Sequence, residues 1–374
     1  MYSYHALGLM SGSSLDGLDM AFCRFDFSEE SGRPFVTHWE ILQAETASFS
    51  EQWKSRLARL PSGTALALAL AHAQFGHYIG TIALDFLERH QLRPGLIASH
   101  GHTIFHYPEQ GLSLQIGDGA AIAAVTGYPV MDNFRMQDVA LGGQGAPLAP
   151  IADQLLFPDY GFLLNLGGIA NLTSRRGSRI IAFDNTGVNQ ILNALVLPLG
   201  LPYDEDGRIA AGGQLIPELL QKVENLEYFA RPYPKSLGND WVQRVQLPLY
   251  LDYAAPVADK LHTACVQVGR QIARDIGLLI QREQLPDAEY RMLVTGGGAH
   301  NGFLVNCIRE ECEKICSLAL EIPDQATINY KEAVLMGLMG ALRAANLPNI
   351  LPSVTGAARA VIGGALHQGW KSKL

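Results

Sequence analysis

The sequence predicts an α/β fold made of two halves that share one plan. Short apolar runs that predict strands occur in clusters, each cluster is followed by longer helical stretches, and this order appears twice along the chain. Three apolar runs also end in glycine-rich turns, one near each end of the chain and one near its middle. At 374 residues, the chain exceeds the length that one hydrophobic core usually supports, so two domains are expected.

The first half opens with three predicted strands, at residues 6–10, 19–27 and 36–42, which could form an antiparallel meander. Residues 65–90 then have apolar side chains at three- and four-residue spacing, which indicates a long helix. Residues 96–99 predict a strand that leads directly into His100-Gly-His-Thr103.

The second half repeats this order. Residues 162–166, 171–173 and 179–183 predict short strands, helices are expected from Val188 and over residues 256–284, and a strand follows at residues 292–294. The segment 132–150 is rich in glycine and proline, which is typical of a connection between domains. We therefore expect lobe I at residues 1–137, lobe II at residues 138–352, and residues 353–374 packed back on lobe I.

Composition restricts the partners and the compartment. The formal net charge of −8, without a Lys/Arg cluster, argues against a nucleic-acid partner. The N-terminus lacks a positive start followed by a sustained apolar run, so we expect no signal peptide and a cytoplasmic protein. Residues 64–86 are mostly apolar but include His72, His77 and Asp85, which favours a buried helix and no membrane partner.

Cysteine and histidine residues give little support for a metal site. The five cysteines form no Cys-x-x-Cys unit, so reduced core thiols are expected in place of a zinc site. His100, His102 and His106 alternate along a predicted strand, which is typical of core and cleft histidines.

The three glycine turns, within residues 5–19, 162–173 and 291–302, indicate a nucleotide ligand. Only glycine lets backbone N–H groups approach phosphate oxygens closely, so turns from both halves could bind one phosphate-bearing molecule. Structural alternatives are a hairpin for the first turn, a tight strand connection for the second, and close helix packing for the third.

Eight segments, in the same order from end to end, resemble the anhydro-N-acetylmuramic acid kinase family. They are residues 8–19, 99–106, 115–118, 133–135, 142–147, 165–171, 234–236 and 351–356. That family belongs to the superfamily of sugar kinases, heat-shock ATPases and actin. The resemblance implies two ribonuclease-H-like lobes, with mixed sheets flanked by helices and ATP in the interlobe cleft.

The resemblance also implies a double reaction in peptidoglycan recycling. Water opens a 1,6-anhydro sugar at C1 while O6 takes the γ-phosphoryl group of ATP, which gives N-acetylmuramic acid 6-phosphate and ADP. Mg²⁺ is expected because ATP enzymes bridge the β- and γ-phosphates with it. Its protein ligand is unknown, because Met10 stands where the superfamily commonly has Asp. A homodimer remains open.

Two other functions stay open at the level of sequence. One is a related kinase acting on an anhydro sugar without the lactyl group, such as levoglucosan. The other is a nucleotide-binding regulator that has kept the lobes and lost the chemistry. Retention of Asp184 argues against the regulator, and the altered loop after Asp184 argues weakly for it.

Asp184, directly after a predicted strand, is the candidate catalytic base. By the residues alone, an aspartate at a strand end is more often a turn or capping residue. The resemblance assigns it the proton of the attacking water. The family pattern Asp-Thr-Gly-Pro-Gly-Asn is altered, because Asn185-Thr-Gly-Val stands between Asp184 and Asn189 in this chain.

The remaining candidates divide into two sets. The nucleotide set comprises Gly12, Ser13, Ser14, Leu15, Asp16, Gly17, Leu18, Asp19, Gly167, Gly168, Gly296, Gly297, Gly298 and Asn301. The sugar set, carried over by resemblance, comprises Thr103, Gln115, Asp118, Arg135, Asn189 and Glu332. Arg135 suits the lactyl carboxylate because its fork binds two oxygens, although an ion pair with Asp138 is an alternative. For Glu332 the alternative is a solvated carboxylate at a helix start.

Overall fold

A computed structural model describes residues 2–371 except residues 13, 14, 16, 31, 32, 177, 178 and 234. The chain divides into two compact units. The first comprises Met1–Phe157 and Tyr330–Leu374, and the second comprises Pro158–Asn329. None of the helices in the described part of the chain combines the length and the apolar composition that a membrane span needs.

The described residues form thirteen strands, which are numbered in chain order. They are β1 (Tyr2–Ser11), β2 (Gly17–Glu30), β3 (Arg33–Ser48), β4 (Leu96–Ser99), β5 (His102–Tyr107), β6 (Leu112–Ile116), β7 (Val130–Asp132), β8 (Phe162–Leu166), β9 (Ile169–Arg176), β10 (Arg179–Gly187), β11 (Tyr290–Thr295), β12 (Leu318–Glu321) and β13 (Ala365–His367).

The α-helices in the described part of the chain, fifteen in all, are numbered in the same way. They are α1 (Glu51–Arg59), α2 (Ala65–Arg89), α3 (Gly119–Thr126), α4 (Met136–Ala140), α5 (Ala149–Leu156), α6 (Asn189–Val196), α7 (Arg208–Ala211), α8 (Pro217–Glu224), α9 (Glu227–Ala230), α10 (Asn239–Trp241), α11 (Leu247–Leu251), α12 (Val257–Arg282), α13 (Gly302–Glu313), α14 (Gln325–Ala344) and α15 (Pro352–Thr355). A π-helical turn, Val242–Gln246, joins α10 to α11.

The two units repeat one strand order, which confirms the predicted fold class. In the first unit the order is β3-β2-β1-β4-β7, with β13 added beside β7. In the second it is β10-β9-β8-β11-β12. The first three strands of each unit are antiparallel, and the last two run parallel to the first strand. This mixed five-stranded order is that of a ribonuclease-H-like lobe.

Each sheet buries its own apolar core. In the first unit, α2 packs Phe75, Ile79 and Phe86 against strand residues such as Leu7 and Leu9, and all of these side chains are fully buried. In the second unit, α12 contributes Leu261, Ile272 and Ile276 to a core shared with β8 and β11. The periodicity that predicted helices at residues 65–90 and 256–284 therefore reflects one apolar face on each helix.

The third strand of the first sheet is longer than predicted. It spans Arg33–Ser48, whereas the apolar pattern predicted residues 36–42. Its additional residues include Glu45 and Thr46, which are polar and pair with Met20 and Asp19 of β2. β3 therefore continues past the residues that its apolar pattern predicted, because pairing with β2 stabilises the additional residues.

The boundaries between the units differ from the predicted ones at residues 137/138 and 352/353. Residues 138–157 lie in the first unit because α5 packs on β3, where Trp39 Nε1 donates to the carbonyl of Leu156 at 3.1 Å. Residues 330–352 lie there too, since Lys331 Nζ is 2.7 Å from Asp153 Oδ1 on α5. The glycine- and proline-rich segment is thus folded within the first unit.

Helix α14 packs directly on the backbone of β1, and Gly8 makes this contact possible. A Cβ at Gly8 would overlap the carbonyl oxygen of Ala333 and would lie 2.7 Å from the backbone nitrogen of Gly337. Backbone atoms of a helix and of a central strand cannot shift cheaply to make room for it.

We predict that Gly8→Ala lowers the free energy of unfolding of the first unit by about 1–3 kcal/mol, because β1 and α14 must separate. Urea unfolding followed by circular dichroism measures this loss. Gly95→Ala is the matched control, since its Cβ would lie 3.5 Å from the carbonyl of His5, an ordinary contact. Equal stability of the two variants would contradict this explanation of the packing.

Candidate functional site

Gly12 and Leu15, between β1 and β2, lie at a pocket of the first unit. This pocket, called the first-unit pocket, has a volume of about 410 Å³ and is lined in part by Gly12, Leu15, Thr103, Arg135 and Glu332. Leu15 has a left-handed φ of 60°, and its N–H donates to the carbonyl of Gly12 at 3.3 Å. The residues Ser13, Ser14 and Asp16 of the predicted phosphate turn lie outside the described residues.

The rest of the predicted turn belongs to strand β2. Gly17, Leu18 and Asp19 pair with Ser48, Ala47 and Thr46 of β3. Leu18 is fully buried in the core, and Asp19 Oδ1 accepts a 2.6 Å hydrogen bond from Thr46 Oγ1. Of this predicted set, Gly12 and Leu15 therefore line the pocket, whereas Leu18 does not.

Arg135 is held in the first-unit pocket by a neutral histidine. Its Nε and Nη2 lie 3.0 and 2.9 Å from His100 Nε2, and its Nη1 donates to the carbonyl of Gly145 at 2.7 Å. Burial, reinforced by the charge of Arg135, lowers the pKa of His100 to about 3. An unprotonated His100 can accept at Nε2 while its Nδ1 donates to the carbonyl of Gly101 at 3.0 Å.

The alternative ion pair between Arg135 and Asp138 does not form. Asp138 is fully buried, and its carboxylate accepts from the N–H of Gly145 and from Thr355 Oγ1, both at 2.8 Å. Asp138 therefore ties residues 138–145 to α15, and Arg135 is bound by other partners.

Glu332 is accessible in the first-unit pocket, on helix α14. Desolvation by the surrounding protein raises the pKa of Glu332, and the like charge of Asp19 adds to this rise, while Arg135 and Lys331 oppose it. A carboxyl group with a raised pKa and an arginine in the same pocket is an arrangement that recurs at functional sites.

A smaller pocket of about 270 Å³, called the side pocket, shares His100 with the first-unit pocket and contains Gln115 and Asp118. Gln115 Nε2 donates to Ser113 Oγ at 3.0 Å and to Thr103 Oγ1 at 3.3 Å. Asp118 caps α3, since its Oδ1 accepts from the N–H of Ala120 at 2.9 Å. The predicted sugar residues of the first unit thus fall into two pockets that share one histidine.

In the second unit, the turn at Gly167 and Gly168 binds the start of helix α6. The carbonyl of Gly168 accepts from Val188 N at 2.8 Å, and that of Gly167 accepts from Asn189 N at 3.2 Å. Asn189, predicted as a sugar residue, donates from Nδ2 to the carbonyl of Leu166 at 3.1 Å. Its side chain also lines a pocket with Gly297, so the structure groups it with the predicted nucleotide residues.

This second-unit pocket has a volume of about 680 Å³, and Gly297, Gly298, Asn301 and Tyr203 are among its lining residues. Gly296 has a left-handed φ of 82°, and a Cβ on Gly298 would lie 2.7 Å from the Cβ of Leu166. Asn301 caps α13 by accepting from Leu304 N at 2.9 Å. The three glycines let this turn lie against the end of β8, as close packing requires.

Asp184 lies near the end of β10, opposite Asn171 on β9 and beside an irregularity in strand pairing between Asp184 and Thr186. Asn171 Nδ2 donates to Oδ1 at 3.1 Å, while Ser236 Oγ and Leu237 N donate to Oδ2, both at 2.8 Å. Each carboxylate oxygen has two lone pairs, so among the described residues Oδ1 retains one for a water molecule.

The sequence did not predict the hydrogen-bond partners of Asp184 and Arg135. Ser236 and Leu237 are far from Asp184 in the chain, although residues 234–236 were among the matched segments. His100 was identified as a cleft histidine, but its contact with Arg135 was not foreseen. Among the described residues, no group of three or more His, Cys, Asp or Glu side chains is arranged to hold a metal ion.

Comparison with solved structures adds no argument. Component A of (R)-2-hydroxyglutaryl-CoA dehydratase from Acidaminococcus fermentans is 11% identical, with a TM-score of 0.43, and the match covers 91% of this chain and 99% of that chain. The ROK hexokinase from Thermus thermophilus is 15% identical, with a TM-score of 0.36 and the same shares covered.

Comparison with sequence families is decisive. Residues 4–369 match the family model for anhydro-N-acetylmuramic acid kinase. The relative of that name from Gloeobacter violaceus is 36% identical over 97% of this chain and 98% of its own. The one from Streptomyces coelicolor is 34% identical over 97% of this chain and 93% of its own. This chain therefore belongs to the anhydro-N-acetylmuramic acid kinase family.

Proposed function

We propose that this protein uses ATP and water to convert 1,6-anhydro-N-acetylmuramic acid into N-acetylmuramic acid 6-phosphate, with release of ADP. The observation that carries the proposal is the carboxylate of Asp184, which accepts three hydrogen bonds from described residues and, as far as these residues go, retains a lone pair on Oδ1. Family membership over residues 4–369 supports the same reaction. In the cell it would serve peptidoglycan recycling in the cytoplasm.

Asp184 is proposed as the general base. Its Oδ1 takes a proton from water as the water oxygen forms a bond to C1 of the sugar and the bond from C1 to O6 breaks. O6 then bonds to the γ-phosphorus of ATP, and the bond from that phosphorus to the ADP oxygen breaks. The proton on Asp184 leaves to solvent, which balances the reaction. A positioned base of this kind typically contributes about 10²- to 10⁴-fold to the rate.

Arg135 is proposed to bind the lactyl carboxylate of the sugar. A guanidinium has five N–H groups, and His100 and Gly145 take three of them. Counting partners among the described residues, one N–H therefore remains on each of the two Nη atoms, and a pair of this kind matches the two oxygens of a carboxylate. We assign the hydroxyl and acetamide groups of the sugar to Thr103, Gln115, Asp118 and Glu332.

ATP is proposed as the phosphoryl donor. The second-unit pocket near Gly297, Gly298 and Asn301 has the volume for a nucleoside, and its lining includes amide, carboxylate and aromatic side chains. Gly12 and Leu15, with the neighbouring predicted serines, are assigned to the phosphates. Mg²⁺ would reach the site on the β- and γ-phosphates, where it neutralises charge. No described cluster offers it a preformed cage.

We predict that Asp184→Asn lowers ADP release with anhydro-N-acetylmuramic acid by at least about 10²-fold, because an amide cannot take the proton. A coupled ADP assay measures turnover, and calorimetry with ADP is expected to show unchanged nucleotide binding. Asp287→Asn, at an exposed position of the same unit, is the control and retains full turnover. Near-normal turnover in Asp184→Asn would contradict the assignment of the base.

We predict that Arg135→Lys raises the KM for anhydro-N-acetylmuramic acid by about 10- to 100-fold, since an ammonium loses the fork while keeping the charge. The KM for ATP is expected to stay the same. The wild-type enzyme is expected to favour this sugar over levoglucosan, which has no carboxylate for Arg135. Exposed Arg93→Lys serves as the control. Equal effects of Arg135→Lys on the two sugars would refute carboxylate recognition.

A further inference from the structure

The segment Lys235-Ser-Leu237 makes hydrogen bonds to both the backbone and the side chain of Asp184. Asp184 N donates to the carbonyl of Lys235 at 3.3 Å, and Asp184 Oδ2 accepts from Ser236 Oγ and Leu237 N, both at 2.8 Å. Two of the three donors to the carboxylate therefore come from one short loop. The orientation of the carboxylate depends on what holds that loop.

Lys235 anchors the loop through a buried ion pair. Its Nζ is 3.2 Å from Asp275 Oδ1 on helix α12, and the side chains are only 3% and 2% exposed. The ammonium also lies 5.1 Å from the ring centre of Tyr228 and 5.6 Å from that of Phe183. A buried charge of this kind is retained only with such partners, so Lys235 has little freedom to move.

The same aspartate also holds the residue that follows Asp184. The irregular pairing of β10 and β9 falls between Asp184 and Thr186, and the side chain of Asn185 is fully buried. Asn185 Nδ2 donates to Asp275 Oδ2 at 2.7 Å, and Gln271 Nε2 donates to that oxygen at 3.0 Å. Asn185 is the first residue of the stretch 185–188 in which this chain departs from the family pattern, and its side chain has a buried partner.

These links form a closed circuit. Asp184 is bonded to Asn185, Asn185 contacts Asp275, Asp275 contacts Lys235, and Lys235 is bonded to Ser236, which returns to Asp184. We propose that Lys235, Asp275 and Asn185 are positioning residues for the carboxylate of Asp184. Asn185 holds the chain directly after Asp184, and Lys235 holds the loop whose residues donate to the carboxylate. The proposal rests on the proposed function, since it needs Asp184 to be the base.

The test uses the full-length enzyme and the double variant Lys235→Met/Asp275→Asn. This pair removes both buried charges together and keeps an amide oxygen that can accept from Asn185, so no unpaired charge is left in the core. We expect a thermal midpoint and a KM for ATP close to those of the wild type, while kcat falls by about 10- to 100-fold as the base loses its orientation. Arg291→Met/Glu321→Gln removes an ion pair of 2.9 Å elsewhere in the same unit and is expected to leave kcat unchanged.

A second pair of variants covers the case in which the double variant does not fold. Ser236→Ala removes one donor from a side chain at the surface and is expected to lower kcat without changing the KM for ATP. Ser236→Thr keeps the hydroxyl and is expected to restore most of that loss. If Ser236→Ala retains wild-type kcat, or if Ser236→Thr is as impaired as Ser236→Ala, the positioning role of the loop is refuted.

A double-mutant cycle separates this inference from the proposed function. In an Asp184→Asn background, Lys235→Met/Asp275→Asn is expected to cause no further loss, because the group that it positions is absent. An equal fold-loss in both backgrounds, or a folded double variant with wild-type kcat, overturns the positioning role. Normal turnover in Asp184→Asn itself overturns the proposed function, which is a distinguishable result.

Discussion

Three hydrogen bonds from described residues hold the carboxylate of Asp184 in the second unit. Asn171 on β9 and the loop at Ser236 and Leu237 all donate to Asp184 at the end of β10. The donors belong to two parts of the chain, a strand and a loop, so the sheet and the loop must both be in place before the carboxylate is held. Helix α12, through Asp275, connects that loop to the strand that carries the carboxylate.

In the first unit, the side chain that has to be held in one orientation is the guanidinium of Arg135. An arginine side chain is long and flexible, and a solvated guanidinium would have to lose that freedom on binding an anion. His100 and the carbonyl of Gly145 already fix the guanidinium of Arg135. Burial keeps the pKa of His100 near 3, so the imidazole remains an acceptor at neutral pH and does not repel the arginine. Preorganisation of this kind reduces the entropic cost of binding.

The sequence predicted the elements with strong local patterns and missed those that depend on tertiary contacts. The helices at residues 65–90 and 256–284 correspond closely to α2 and α12, because each has a continuous apolar face. Strand β6 and the full length of β3 were not predicted, since they depend on pairing with neighbouring strands. The unit boundaries differed because α5 and α14 pack on the first unit through residues that are distant in the chain, such as Lys331 with Asp153.

In the candidate site, too, the sequence predicted single residues but not the tertiary contacts that hold them. The family resemblance identified Asp184 and Arg135. The aspartate can act as a base, and the arginine can bind a carboxylate. Their partners are 52 residues away for Ser236 and 35 for His100, and no local pattern relates them. Asn185 looked like a simple departure from the family pattern, yet its side chain reaches Asp275, 90 residues further along.

Asp184 is proposed to direct water to C1 of the sugar while O6 receives the phosphoryl group. The wild-type reaction in oxygen-18 water, with the product analysed by mass spectrometry, tests this route most directly. We expect one labelled oxygen on C1 of the phosphorylated sugar and none in the phosphoryl group. A product without label at C1, or label found in phosphate, would contradict it.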